Sequence, residues 1–105
     1  MQKLVPIEIL YRLIDKMIPL VKPSGVSKIE YTLEPVWDWY YMNIDYIVPD
    51  DSEFLKTVNM KKLEMIRRDW NDEIQKSIEN YFDVDVRVTS SGIRSESYYK
   101  SQKGL

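Results

Sequence analysis

The stretch that decides the fold is Trp37-Asp38-Trp39-Tyr40-Tyr41-Met42-Asn43-Ile44-Asp45-Tyr46-Ile47-Val48. A run this rich in aromatic and β-branched residues, ending at a proline, predicts one long β-strand. Successive side chains of a strand point to opposite sides. One side is uniformly apolar and should pack against helices, namely Tyr40, Met42, Ile44, Tyr46 and Val48. The other side is mixed, and it carries Trp39, Tyr41, Asn43, Asp45 and Ile47.

The segments before this strand predict a helix and a second strand. Apolar residues recur at helical spacing from Ile7 to Val21, and Ile9 and Leu13 widen the apolar face beyond the needs of one core contact. From Val26 the period changes to two, which predicts a half-buried strand that turns at Glu34-Pro35.

The segments after the central strand predict a long helix, a strand and a return arm. Residues 53–58 fit either a helical turn or a short strand. The pattern over residues 59–81 predicts a helix of about six turns, which Asp83 should close. Residues 84–89 alternate as a strand, Ser91-Gly92 fits a tight turn, and residues 93–99 could pair back as a hairpin arm before a polar tail.

Together these elements predict an α+β fold in the order α-β-β-α-β. We expect a small two-layer sandwich, with a three- to four-stranded, mainly antiparallel sheet and two helices on one face. A chain of 105 residues and 12.6 kDa is one domain in size. We assign residues 1–92 to this domain and residues 93–105 to a C-terminal arm or tail.

Composition excludes several kinds of site. The chain has no cysteine and no histidine, which excludes zinc sites of the Cys/His kind as well as Cys–His and Ser–His–Asp catalysis. We expect no enzyme activity and no cofactor. The net charge of -2 gives no global attraction for nucleic acid. Glu8, Arg12 and Asp15 interrupt the N-terminal apolar run, so neither a signal peptide nor a membrane span is expected and the cytoplasm is the expected location.

Two resemblances define the alternatives to a protein-binding role. The element order is similar to that of the PD-(D/E)xK nuclease core, and Pro49-Asp50 with Glu53 and Lys56 resembles its motif. Lys56 stands one position too far from Glu53, so on a strand the two would point to opposite faces. We therefore expect neither the nuclease activity nor a metal held by Asp45, Asp50, Asp51 and Glu53.

The second resemblance is to the type II KH module, which binds nucleic acid. The element order is similar if residues 53–58 are helical, but the GxxG loop of that module is missing between Ser52 and Met60. A nucleic-acid site would instead combine strand aromatics with the basic residues Lys56, Lys61, Lys62, Arg67 and Arg68.

We favour a non-catalytic structural or adaptor subunit of a larger assembly, either a homo-oligomer or a hetero-assembly. Aromatic residues are enriched at interface hot spots, and the candidate contact residues are Trp37, Trp39, Tyr41, Ile93, Tyr98 and Tyr99. The chain lacks alanine, which suggests an AT-rich coding sequence. The element order resembles that of ring-forming phage tail-terminator and head–tail joining proteins, which implies a bacteriophage virion component of the neck or tail ring.

Overall fold

A computed structural model describes residues 6–104, which form four helices and a three-stranded sheet. The predicted α+β class is confirmed, with the two longest helices on one face of the sheet. In chain order the elements are α1 (Ile7–Val21), β1 (Lys28–Val36), β2 (Trp39–Val48), α2 (Glu53–Lys56), α3 (Met60–Phe82), β3 (Val86–Ser95) and α4 (Glu96–Gln102).

The sheet has the order β1-β2-β3, so the predicted central strand lies between the other two. β1 pairs with β2 in antiparallel orientation, whereas β2 and β3 are parallel, so the sheet is mixed. The length of α3 explains the parallel pair. Its 23 residues span roughly 34 Å, close to the length of a ten-residue strand. The chain therefore returns to the first end of β2 before β3 begins.

The core lies between the sheet and the two long helices. The apolar side of β2 is fully buried, as the alternation predicted. α1 contributes Leu10, Ile14 and Met17 to the same core, and α3 contributes Ile74 and Ile78. Since all of these side chains belong to one cluster, the packing of α1 and α3 on β2 forms a single hydrophobic core.

A chain of hydrogen bonds ties α3 to two strands. The hydroxyl of Tyr46 donates to Asn71 Oδ1 at 2.7 Å, and Asn71 Nδ2 donates to Ser91 Oγ at 2.8 Å. Burial raises the pKa of the Tyr46 hydroxyl above its ordinary value of 10.0, so this group stays a neutral donor. One side chain of α3 thus holds both β2 and β3.

The turn between β1 and β2 differs from the prediction. It consists of Trp37 and Asp38, because Val36 pairs directly with Trp39. The expected turn at Glu34-Pro35 is wrong: Pro35 lies within β1, an edge strand, where a missing N–H is tolerated. A two-residue hairpin needs a positive φ angle, and Trp37 supplies it with φ of 57°.

The C-terminal segment also differs from the prediction. Gly92 pairs with Asp45 in the ladder, so β3 continues to Ser95 where a turn was expected. The predicted hairpin arm is wrong, because the side chain of Ser95 accepts a hydrogen bond from the Tyr98 amide and starts α4. The assigned boundary at residue 92 therefore falls inside a strand, and residues 93–104 fold back on their own chain. Leu105 and residues 1–5 lie outside the described part.

The remaining connections follow the sequence closely. Residues 53–56, whose assignment was open, form the short helix α2, which Ser52 caps. Asp83 ends α3, as predicted, and its backbone has the left-handed conformation. The side chain of Asn59 caps the start of the helix. Among the described helices, none is long and apolar enough to cross a membrane.

We predict that Asn71→Ala lowers the free energy of unfolding by about 1–3 kcal/mol, because it leaves the buried Tyr46 hydroxyl without its acceptor. Urea denaturation would measure the loss. Asn80→Ala is the matched control, since Asn80 lies on the same helix, is exposed and gains the same helix propensity. Equal midpoints for the two variants would contradict the structural role of Asn71.

Candidate functional site

The sheet face opposite the long helices is the candidate functional surface, and its three parts differ in chemistry. At one end lies an aromatic group, which we call the aromatic corner and define as Trp37, Trp39, Tyr41 and Arg87. At the other end α4 covers the sheet. Between them is a polar groove.

The aromatic corner holds its side chains in a fixed arrangement. The rings of Trp39 and Tyr41 meet edge to face, with centroids 4.5 Å apart. The guanidinium of Arg87 lies 4.1 Å from the centroid of the Trp39 ring and contacts Asp85 Oδ2 at 3.4 Å. Beside this cluster, at the hairpin tip, Trp37 is 92% exposed. The corner therefore presents one free indole next to a second indole that is stacked and only half-exposed.

Polar contacts hold α4 on the sheet. The hydroxyl of Tyr99 donates to Glu30 Oε1 at 2.6 Å, and Lys28 Nζ lies 2.8 Å from the same oxygen. The amide of Ser97 donates to Asp50 Oδ1 at 2.9 Å, while its hydroxyl donates to Asp50 Oδ2. Beneath α4, the side chain of Ile47 on the open face of β2 is buried.

The carboxylates that hold α4 have shifted pKa values. The hydrogen bonds from Ser97 keep the pKa of Asp50 below its ordinary 3.8. For Glu30, burial raises the pKa, but the hydrogen bonds from Lys28 and Tyr99 outweigh it and leave the pKa below 4.5. Both carboxylates are therefore charged at neutral pH.

The predicted contact residues divide between two places. Trp37, Trp39 and Tyr41 lie at the aromatic corner, whereas Tyr98 and Tyr99 belong to α4 at the other end of the open face. The Tyr98 ring lies 5.6 Å from the Arg94 guanidinium. Ile93 is partly buried and packs against the core. The structure thus does not bring the six residues into one patch.

The polar groove has a volume of about 420 Å³. Its walls carry charges that are already paired, such as Asp45 Oδ1 with Arg94 Nε at 3.8 Å and Glu30 with Lys28. Across residues 6–104 no cluster of three or more acidic side chains is arranged to hold a metal ion. Asp45 and Asp50, two of the acidic residues weighed as metal ligands in the sequence, contact different partners: Asp45 contacts Arg94 and Asp50 contacts Ser97.

The basic residues lie far from the aromatic corner. Lys56, Lys61 and Lys62 surround the turn between α2 and α3, beyond the last residue of β2. α3 then runs back along the sheet: Trp70 contacts Tyr46, with ring centroids 5.0 Å apart, and the residues after α3 reach the level of Tyr40. α3 also packs on one face of the sheet, whereas Trp39 and Tyr41 lie on the other face.

Arg67 and Arg68 follow on α3, where Arg68 Nη2 lies 3.1 Å from Glu64 Oε1. Helical α2 satisfies the condition for the KH-like element order, yet Thr57-Val58-Asn59 connects α2 and α3 without glycine. The structure does not bring the basic residues of α2 and α3 next to Trp39 and Tyr41.

The structure adds an apolar surface on the helical side. A groove of about 210 Å³ lies between α1 and the end of α3, and we call it the helical groove. Its lining residues are Leu13, Lys16, Met17, Leu20, Tyr81 and Phe82. The sequence signal for it was the widened apolar face of α1 near Leu13.

Comparison with known proteins gives a distant structural likeness. No family model matches the chain, and no curated protein sequence matches it. Among solved structures, a single-residue variant of MamM-CTD has a TM-score of 0.49 and 14% identity, covering 87% of this chain and 96% of that chain. Similarity at this level gives no basis for transferring a function.

We predict that α4 loosens from the sheet in acid. A carboxylate whose pKa is lowered by folding stabilises the folded form above its unfolded pKa, and this contribution is lost as the pH falls through the folded pKa. Docking should thus be complete above pH 4.5, the ordinary pKa of glutamate, and weaken below pH 3.8. The chemical shift of the Ser97 amide in NMR spectra would report it.

Two variants sharpen this titration. Asp50→Asn should reduce the acid step at the Ser97 amide, since the carboxylate that accepts from this amide is gone and Glu30 alone still titrates. Asp51→Asn changes the neighbouring exposed carboxylate and should leave the step in place. A Ser97 signal that is insensitive to acid, or equally sensitive in Asp50→Asn, would contradict the proposed contact.

Proposed function

We propose that this chain is a non-catalytic protein-interaction subunit of a larger assembly and that its aromatic corner contacts the partner. The observation that carries the proposal is the exposure of Trp37, which is 92% at the tip of a two-residue hairpin turn. Tryptophan is among the residues most enriched at interface hot spots.

The backbone at this tip supports the same function. A non-glycine residue in the left-handed region costs about 1–3 kcal/mol, and Trp37 has φ of 57°. The chain therefore accepts both backbone strain and an unburied indole at one residue. Strain of this kind is concentrated at binding sites, where a partner can bury the side chain it presents.

The corner is also organised before binding. Val36 and Trp39 pair on either side of the tip, and Arg87 and Tyr41 fix the ring of Trp39. A side chain that is already ordered loses less entropy on association. The outer strands β1 and β3 offer a second means of contact, by pairing with a strand of a neighbouring subunit. The C-terminal segment is not available for that pairing, because it forms α4.

A finer proposal is that the assembly is a bacteriophage virion, with this chain in the neck or tail ring. It is supported by the element order and by the absence of alanine from the sequence. The partner would be either further copies of this chain or another virion protein.

A nucleic-acid role is the alternative, and the geometry supports it less. The aromatics that would stack on bases lie at the opposite end of the sheet from Lys56, Lys61 and Lys62. Binding by these lysines alone would be electrostatic and would fall steeply with salt. Titration of a labelled oligonucleotide at two salt concentrations tests this alternative, and Lys61→Glu should abolish any binding seen.

We predict that Trp37→Ser weakens association by about 30-fold, the effect of losing a hot spot of 2 kcal/mol. Light scattering and native mass measurement would follow the purified chain alone and with the products of neighbouring genes. Because Trp37 makes few contacts, the free energy of unfolding should change by less than about 0.5 kcal/mol.

Val58→Ser is the matched control for this experiment. Val58 is 94% exposed and apolar as well, but it lies in the turn before α3, away from the aromatic corner. It should leave association unchanged. The proposal fails if the wild-type chain is a monomer that binds none of these chains, or if both variants weaken association equally.

A further inference from the structure

We infer that the helical groove binds the Trp37-Asp38 hairpin tip of a second copy of this chain. The inference rests on the proposed function and identifies the partner of the aromatic corner. It predicts a head-to-tail contact, in which each copy supplies one tip and one groove.

The helical groove has the character of a site for an apolar side chain. Two of its walls are large exposed side chains, Leu20 at 77% and Tyr81 at 63% exposure. Leu13, Met17 and Phe82 form the rest of its apolar lining, and Lys16 is the charged residue among the described lining residues. Apolar patches rimmed by polar residues mark binding sites for proteins.

The hairpin tip has the complementary chemistry. The indole of Trp37 is the largest apolar group that the tip presents, and it is flanked by two exposed acidic residues, Asp38 and Glu34. The groove offers an ammonium group at Lys16. When the indole lies in the apolar groove, the carboxylate of Asp38 or Glu34 would lie beside the Lys16 ammonium group. This charge complementarity favours one orientation of the tip in the groove.

The tip cannot fill the groove of its own chain. Val36 and Trp39 pair at the base of the two-residue turn, so the tip has no free segment with which to fold over the helices. Trp37 is exposed while its own groove is open. In a head-to-tail series, one neighbouring copy covers the tip and another covers the groove.

Since the tip and the groove of one copy contact two different neighbours, the inferred contact is heterologous. Such contacts produce closed rings when the rotation between copies closes, and open chains when it does not. The wild-type chain should therefore grow beyond a dimer as its concentration rises.

The test is complementation between two variants. Trp37→Ser removes the tip and leaves the groove, whereas Leu20→Glu places a charge in the groove and leaves the tip. Each alone should associate at least about tenfold more weakly than the wild type, a change of about 1.4 kcal/mol. An equimolar mixture should form a dimer that contains one copy of each variant and does not grow further. Native mass spectrometry distinguishes the two chains by mass.

Two further substitutions control for charge. Met65→Glu places the same charge on an exposed apolar residue of α3 that does not line the groove, and it should not weaken association. Lys16→Glu should weaken association, and combining it with Asp38→Lys in one chain should restore at least part of the loss.

The outcomes separate the inference from the proposed function. If Trp37→Ser prevents association but Leu20→Glu does not, the groove is not the acceptor and only the inference fails. Only the inference fails, too, if the wild-type chain is a monomer that binds another protein through Trp37. It also fails alone if both variants associate more weakly and their mixture does not form a dimer. If the wild-type chain binds nothing, both fail.

Discussion

The structure depends on the burial of one side of β2 against α1 and α3. Five side chains of that strand, from Tyr40 to Val48, are removed from water by the two helices. At about 25 cal/mol per Å² of apolar surface, burial on this scale is the main favourable term in a domain of this size. The hydrogen bonds of Asn71 then fix where α3 crosses the strands. The other two strands are positioned by pairing with β2, with β1 on one edge and β3 on the other.

Burying one side of β2 leaves the opposite side of the sheet for other uses. Because α3 returns the chain to the start of β2, both long helices lie on the same face and no helix of similar length covers the other. α4 fills part of that space, but it is seven residues long, and none of its residues is buried. It is held by Asp50 and Glu30 through exposed or half-exposed polar contacts. The sheet therefore has one face held by apolar packing and one face on which charged pairs and aromatic rings remain accessible.

Much of this architecture could be predicted from the sequence, because it follows from local periodicity. The alternation in β2 identified the buried side, and Asn59 and Asp83 marked the ends of α3. The parts that failed depend on long-range pairing. Ser91-Gly92 has the composition of a turn, yet opposite Ile44 and Asp45 it continues the ladder. Pro35 suggested a turn, yet on an edge strand it costs no ladder hydrogen bond. Trp37 was assigned to the strand because its composition fits one, although the register places it at the tip.

The same difference between local and long-range information applies to the candidate site. The sequence identified Trp37, Trp39 and Tyr41, since an aromatic row stands out in any strand. It could not show that Lys61 and Lys62 lie at the other end of the molecule, because the direction of α3 relative to β2 is set by the parallel pairing. Charged groups of the open face form ion pairs with each other, such as Asp45 with Arg94 and Asp85 with Arg87. Trp37 at the hairpin tip and Leu20 and Tyr81 at the helical groove are among the large apolar side chains that stay exposed. Surface of this kind is stabilised by burial against another protein, so the distribution of exposed apolar groups explains why we favour an assembly role.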